Sequence, residues 1–131
     1  MGVQRKKWDI LFSDIVRSIG HCEAQGYNDI QCSPQLQCAH IVTRKRSATR
    51  TDFRNAYCLC HNHHRFYTDF PREFSKFITT TWAQDTYEEI YEKSRIGTKV
   101  NWKTRTEELK DIQKKIKNGE TTLAEIRKNA I

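Results

Sequence analysis

His40, Asn55 and His64 stand in that order within LQCAHIVTRKRSATRTDFRNAYCLCHNHH, residues 36–64. A neutral imidazole can take a proton from water near neutral pH. An asparagine amide can lock a loop or a ring in place through its donors and acceptor. A second histidine can hold a divalent cation. Arg44, Lys45, Arg46, Arg50 and Arg54 make the segment between His40 and Asn55 strongly basic, and a guanidinium fork matches phosphate oxygens. Cys58, Cys60 and His63 surround the third residue. A base, a cation ligand and phosphate-binding cations are the components of metal-assisted phosphodiester hydrolysis.

Several elements must position these groups. Trp8, Leu11, Phe12, Ile15 and Ile19 recur at helical spacing and predict a helix over 6–19, stopped by Gly20. Residues 20–35, with Gly26, Asn28, Asp29 and Pro34, read as an irregular loop. Residues 36–42 alternate and include Ile41 and Val42, which predicts a short strand. The basic segment 43–54 is a loop, and 56–60 forms the second strand of a hairpin. A helix starts near His61 and runs toward Tyr67. After Pro71, the residues Phe74, Phe77, Ile78 and Trp82 mark a further helix, continued or followed by Tyr87, Ile90 and Tyr91. Thr104 with Glu107 makes a capping-box pattern ahead of Leu109, Ile112 and Ile116. Asn118-Gly119 is a stop, and Thr122 with Glu125 is a second capping box.

The chain of 131 residues reads as one compact domain with helical extensions. A net charge of +7 favours a polyanionic partner, nucleic acid first. No apolar run approaches the ~18 residues of a membrane span. The start, MGVQRKKWDILF, lacks a long apolar stretch, so no signal peptide is expected. Five cysteines without such a signal point to thiols or metal ligands in a reducing, cytoplasmic compartment rather than to disulfides. A modest apolar content makes a structural metal an expected staple. Cys60 and His63 have the Cys-x2-His spacing of a zinc half-site.

The run LQCAHIV…RNAYCLCHNHH resembles the HNH endonucleases, specifically the small phage and prophage type. The resemblance covers roughly residues 20–80 and rests on order and spacing: Ala-His-Ile on a strand, RSATRTD in an arginine-rich loop, Asn55 nine residues before His64, then Leu59-Cys60 ahead of His63-His64. It implies an α+β fold with a ββα-metal core, in which a hairpin packs on a helix around one divalent cation. It also implies a structural zinc and flanking N-terminal and C-terminal helices. The expected divisions are 1–20 for the N-terminal helix, 21–83 for the nuclease core and 84–131 for a charged helical extension.

In that family, His40 would be the general base, His64 a ligand of the catalytic cation (Mg, Mn or Ni), and Asn55 a residue that fixes His40 or helps hold the cation. The other half of the zinc site lies before the first strand, where Cys22 and Cys32 are the candidates; Cys38 and Cys58 compete, as plausible buried thiols of the hairpin. Two positions depart from the family pattern. Ala39 stands where many relatives have a metal-binding Asp or His, and Thr68 stands where many have a further His. Asp69, Asn55, Asp52, water or a substrate phosphate would then complete the cation's shell. The activity implied is hydrolysis of DNA, by nicking or double-strand cleavage, to 5′-phosphate and 3′-hydroxyl ends. Arg44, Lys45, Arg46, Arg50 and Arg54 would hold the DNA backbone with low sequence specificity. A zinc-stabilised, non-catalytic nucleic-acid-binding module is the alternative. Membership of a phage DNA-processing machine, as monomer or dimer, is compatible with either.

Overall fold

The computed structural model describes residues 4–82 and 84–129. Two short strands, β1 (Leu36–His40) and β2 (Ala56–Cys60), form an antiparallel pair with Leu36 opposite Cys60 and His40 opposite Ala56. Helix α1 (Lys7–Arg17) precedes them and α2 (His61–Asp69) follows β2 without a break. Then come α3 (Pro71–Thr81), α4 (Gln84–Ser94), α5 (Trp102–Lys117) and α6 (Leu123–Lys128). The architecture is therefore a small α+β protein built on one two-stranded sheet. No helix among the described residues is long and apolar enough to cross a membrane.

Local signals explain most boundaries. The Asp9 carboxylate accepts the Lys6 N–H at 2.8 Å at the start of α1, and Gly20 takes a positive φ of 83° just past its end. Pro71 opens α3, where its missing N–H costs nothing. Thr122 caps α6 by accepting from the Glu125 N–H at 3.2 Å. The expected box at Thr104 is not the start of α5. The helix begins three residues earlier, because the Asn101 side chain accepts the Thr104 N–H at 3.1 Å. The first strand ends at His40 rather than residue 42, where the Asn55 side chain takes both the N–H and the carbonyl of Val42.

Strand alternation sends the two faces of the hairpin into two apolar clusters. Leu36, Cys38 and Cys58 pack with Phe12, Ile15 and Val16 of α1, with Leu109 and Ile112 of α5, and with Leu123 and Ile126 of α6. Ala39, Tyr57 and Leu59 pack on the other side against Tyr67 of α2 and Phe77 and Ile78 of α3. The chain past residue 84 is thus not an appendage. Its last two helices supply one wall of the core beneath α1, and Ile90 of α4 is fully buried. The expected domain edges at residues 1, 83 and 131 lie outside the described residues.

Buried ion pairs tie these helices to the hairpin. Arg127 of α6 donates to both oxygens of Glu23, at 2.6 and 3.0 Å, and to the carbonyls of Phe53 and Ala56. Glu23 also accepts the Cys58 N–H at 2.7 Å, so one carboxylate joins the loop before β1, strand β2 and α6. A bidentate pair with its remaining polar atoms bonded is the arrangement in which a buried charge is tolerable.

Candidate functional site

Cys22, Cys32, Cys60 and His63 converge, with their ligand atoms all within 4.8 Å of one another. Two segments bring them together: the loop between α1 and β1, which carries Cys22 and Cys32, and the junction of β2 with α2. His63 Nδ1 lies 3.6 Å from Cys22 Sγ, 3.6 Å from Cys32 Sγ and 3.2 Å from Cys60 Sγ. A tetrahedral ion at ordinary Zn–S and Zn–N lengths would set S and N about 3.6 Å apart. The donor set and its spacing therefore fit a four-coordinate metal ion such as zinc. Around it, His63 Nε2 is 3.0 Å from Asn28 Oδ1, and Asn28 Nδ2 donates to Tyr67 at 3.2 Å. An imidazole that donates its outer N–H is held in the tautomer that presents Nδ1 to a metal.

The thiols differ in character. Burial pushes Cys60 up, but donation from the backbone N–H groups of His63 and Ser33 outweighs it and brings the group down to about 6. Burial and the neighbouring thiols push Cys32 up to about 12 and raise Cys22 as well. A cation would relieve that mutual opposition to ionisation, with release of protons. Cys38 and Cys58 face each other across the hairpin outside this cluster, and burial raises them to about 12 and about 11. They are apolar packing groups of the α1 side.

His40 sits at the end of β1, its ring 5.4 Å from that of Phe12. Its Nε2 lies 3.2 Å from the Arg50 carbonyl. A carbonyl can only accept, so Nε2 carries the hydrogen and Nδ1 keeps its lone pair. Burial pulls the imidazole below its usual range, helped by the charges of Arg44 and Arg50 and opposed by the Arg50 carbonyl and Asp9. The ring borders a cleft of about 400 Å³ whose rim carries Arg5, Arg17 and Arg44.

Asn55 is wholly buried and spans the loop. Its Nδ2 donates to the carbonyls of Val42 (2.9 Å) and Thr49 (3.0 Å), and its Oδ1 accepts the Val42 N–H at 2.8 Å. The amide's hydrogens are thus committed to shaping the segment whose Arg50 carbonyl meets His40. Its position is that of a loop staple, its amide bonded to backbone groups across the loop.

His64 occupies the other side of β1. Its Nδ1 lies 2.8 Å from Gln37 Oε1, so Nδ1 donates and Nε2 keeps a lone pair. Gln37 Nε2 in turn reaches His61 Nδ1 at 3.3 Å. Gln37 and His40 differ by an odd number of residues, so His64 and His40 stand off opposite faces of one strand. The structure does not gather His40, Asn55 and His64 into one ligand cluster. Ala39 is buried in the aromatic core, and Thr68 Oγ1 donates to the His64 carbonyl within its own helix.

The basic loop divides. Arg50 is buried, donating to Asp9 at 2.9 and 2.6 Å and lying 5.8 and 5.6 Å from the ring centres of the stacked Trp8 and Trp102. Arg54 pairs with Asp52 and Glu89. Lys93 and Arg105 further pin Asp52 and Thr51. Expected as phosphate contacts, Arg50 and Arg54 are therefore spent on internal carboxylates. Lys45 and Arg46 are exposed, and Arg44 is half-buried at the cleft, 3.8 Å from Asp9. Asp9, Glu23, Gln37, Asn28 and Arg127 escaped the sequence reading. Only Asp9 carried a local signal, its three-residue spacing from the cap residue Lys6.

Compared with known proteins, the chain matches no family model, no curated protein and no solved structure at a significant level.

Proposed function

We propose that this chain is a metal-dependent DNA endonuclease of the HNH type, with a zinc ion as a structural staple. The observation that carries the reading is His40: a half-buried imidazole whose Nε2–H is fixed on a backbone carbonyl and whose ring lines an arginine-rimmed cleft. That is the state a general base requires at neutral pH. The motif order His40, Asn55, His64 supports it, as does the hairpin that leads directly into the helix bearing His64.

In the proposed reaction His40 Nδ1 takes a proton from water as the water oxygen bonds to phosphorus. The bond from phosphorus to the 3′ oxygen breaks, and that oxygen takes a proton from solvent, leaving 5′-phosphate and 3′-hydroxyl ends. Asn55 acts through the loop, by holding the Arg50 carbonyl against His40. His64 Nε2 is free to ligate a divalent cation, with Gln37 orienting the ring. Such a cation (Mg, Mn or Ni) would, when bound, neutralise charge on the phosphate and the departing oxygen. A sparse protein shell suits Mg-like ions, which keep several waters. At the Cys22, Cys32, Cys60 and His63 cluster, three thiolates and an imidazole favour zinc over harder ions. A cytoplasmic setting, with reduced thiols, follows from that use of cysteine.

The test is nicking of supercoiled plasmid in the presence of Mg, Mn or Ni. His40→Ala is expected to remove cleavage while DNA binding persists, and undiminished cleavage by that variant would refute His40 as base. A second reading, a zinc-stapled DNA-binding module without catalysis, is favoured by one observation: Ala39 is buried among aromatic side chains, where a ligand for the second cation would stand. The wild-type chain would then leave the plasmid intact with every cation while still binding it.

A further inference from the structure

The cleft beside His40 lies between one stripe of α1 and one edge of β1. Asp9, Ser13 and Arg17 recur at four-residue intervals and so share a helix face, with Arg5 just ahead of it. Facing them are Gln35, Leu36, Cys38 and His40, and Arg44 closes one end.

The hydrogen-bond phase of the hairpin decides what that edge offers. Ile41 N–H bonds Asn55 O at 2.8 Å and His61 N–H bonds Gln35 O at 2.9 Å. The odd-numbered residues thus pair across the hairpin. In an antiparallel pair the alternate residues turn their N–H and C=O groups the other way. The backbone N–H groups of Leu36, Cys38 and His40, alternating with their carbonyls, therefore point out of the open edge, and among the described residues no third strand takes them. They are donors in search of an acceptor.

The charges agree. Asp9 is the one carboxylate lining the cleft, and Arg50 already neutralises it through two N–H bonds. Arg17 is held by Asp14 and the Ser13 carbonyl, which fixes its guanidinium at the far end of the stripe. Arg5 and Arg44 complete a positive rim. The five residues of β1 extend about 17 Å, and the eleven of α1 about 16 Å. Either length matches about five base-pair steps measured along the axis of a DNA duplex.

We propose that one strand of the DNA substrate lies along the open edge of β1 beneath α1. Its phosphates are held by Arg5, Arg17, Arg44 and the outward N–H groups of the strand. The assignment rests on the nuclease reading for the identity of the polyanion. It moves backbone recognition from the loop arginines Arg50 and Arg54 to the N-terminal helix, outside the motif. It also places the phosphodiester beside His40, which lines the same cleft.

The test is fluorescence anisotropy of the full chain with a labelled 20-base-pair duplex, titrated with salt from 50 to 200 mM. The variant carrying Arg5→Ala, Arg17→Ala and Arg44→Ala should bind at least tenfold more weakly. Its slope of log affinity against log salt should flatten by roughly 2.7, or about 0.9 for each lost phosphate contact. Lys114→Ala, on the exposed flank of α5, should change neither. If the triple variant does not fold, Arg5→Ala and Arg44→Ala singly should each flatten the slope by about 0.9. Wild-type affinity and slope in these variants would overturn the groove while leaving nuclease activity, read by plasmid nicking, intact. Binding through the three arginines without cleavage under any cation would keep the groove and remove the nuclease. A wild-type chain that neither binds nor cuts DNA would remove both.

Discussion

In the proposed mechanism one backbone carbonyl and partial burial make His40 a competent base. The Arg50 carbonyl selects its tautomer, and burial keeps it neutral. Its depressed pKa has two consequences. The acid limb of the nicking rate against pH should fall below about 6.5, the value of a free imidazole. The sign for stability follows from proton counting: the unfolded chain binds a proton at about 6.5 before the folded one does. Stability from His40 is therefore lost as pH falls from about 6.5 toward the folded value. The melting temperature of the wild type should drop more between pH 7 and about pH 5 than that of His40→Gln. Equal drops would mean that His40 is not buried neutral. Asp9 is the other residue whose effect can be stated. Asp9→Ala leaves the buried Arg50 guanidinium without its carboxylate beside the stacked tryptophans, which should cost about 3–5 kcal/mol in urea unfolding. Arg50→Lys should not restore the wild type, because an ammonium cannot make the paired bonds of the fork.

Among elements, α6 has a role out of proportion to its six residues. Its Leu123 and Ile126 finish the cluster under α1, and its Arg127 reaches Glu23, Phe53 and Ala56. Arg127→Ala should destabilise by up to about 3–5 kcal/mol, since Glu23, half-buried, loses its partner. The double variant Arg127→Met, Glu23→Gln should recover part of that loss in thermal melts. A single variant as damaging as the double would show that packing, not the unpaired charge, is responsible. The arginine loop is the complementary case. It lacks regular structure beyond one short turn, yet Asn55, Asp9, Lys93 and Arg105 each hold it at a different point. Its basic sequence reads as a flexible phosphate-binding arm, whereas half of its cations are paired in the fold.

At the scale of the molecule, the four-ligand cluster fastens the loop between α1 and β1 to the junction of β2 and α2. Cys22 and Cys32 lie on irregular chain, and only Cys60 and His63 belong to regular elements. Metal analysis should find one zinc per chain. Chelation should lower the melting temperature steeply, because binding energy of this kind is folding energy, on the order of 10–16 kcal/mol in small peptides. Cys60→Ser should lose the metal, while Cys38→Ser and Cys58→Ala should keep it. Retention by Cys60→Ser would overturn the ligand set.

Local chemistry is what the sequence alone determined. Helix periodicity at Trp8–Ile15, the stop at Gly20, Pro71 at a helix start, the Thr122 cap and the hairpin-then-helix order follow from contacts within a few residues, and such contacts are written in adjacent letters. The Cys60–His63 half-site is of the same kind, one helical turn closed on itself. The structure alone decided every choice between equals. Cys22 and Cys32, rather than Cys38 and Cys58, meet His63 because alternation turns the latter pair into the core beneath α1. Arg50 and Arg54 are spent on carboxylates at positions 9, 52 and 89, while Arg5 and Arg17 border the cleft. The final helices complete the core because their apolar faces meet α1, more than ninety residues away in the chain. Charge and apolarity are properties of a residue, but whether a charge is free or a face is covered depends on what the folded chain sets opposite it.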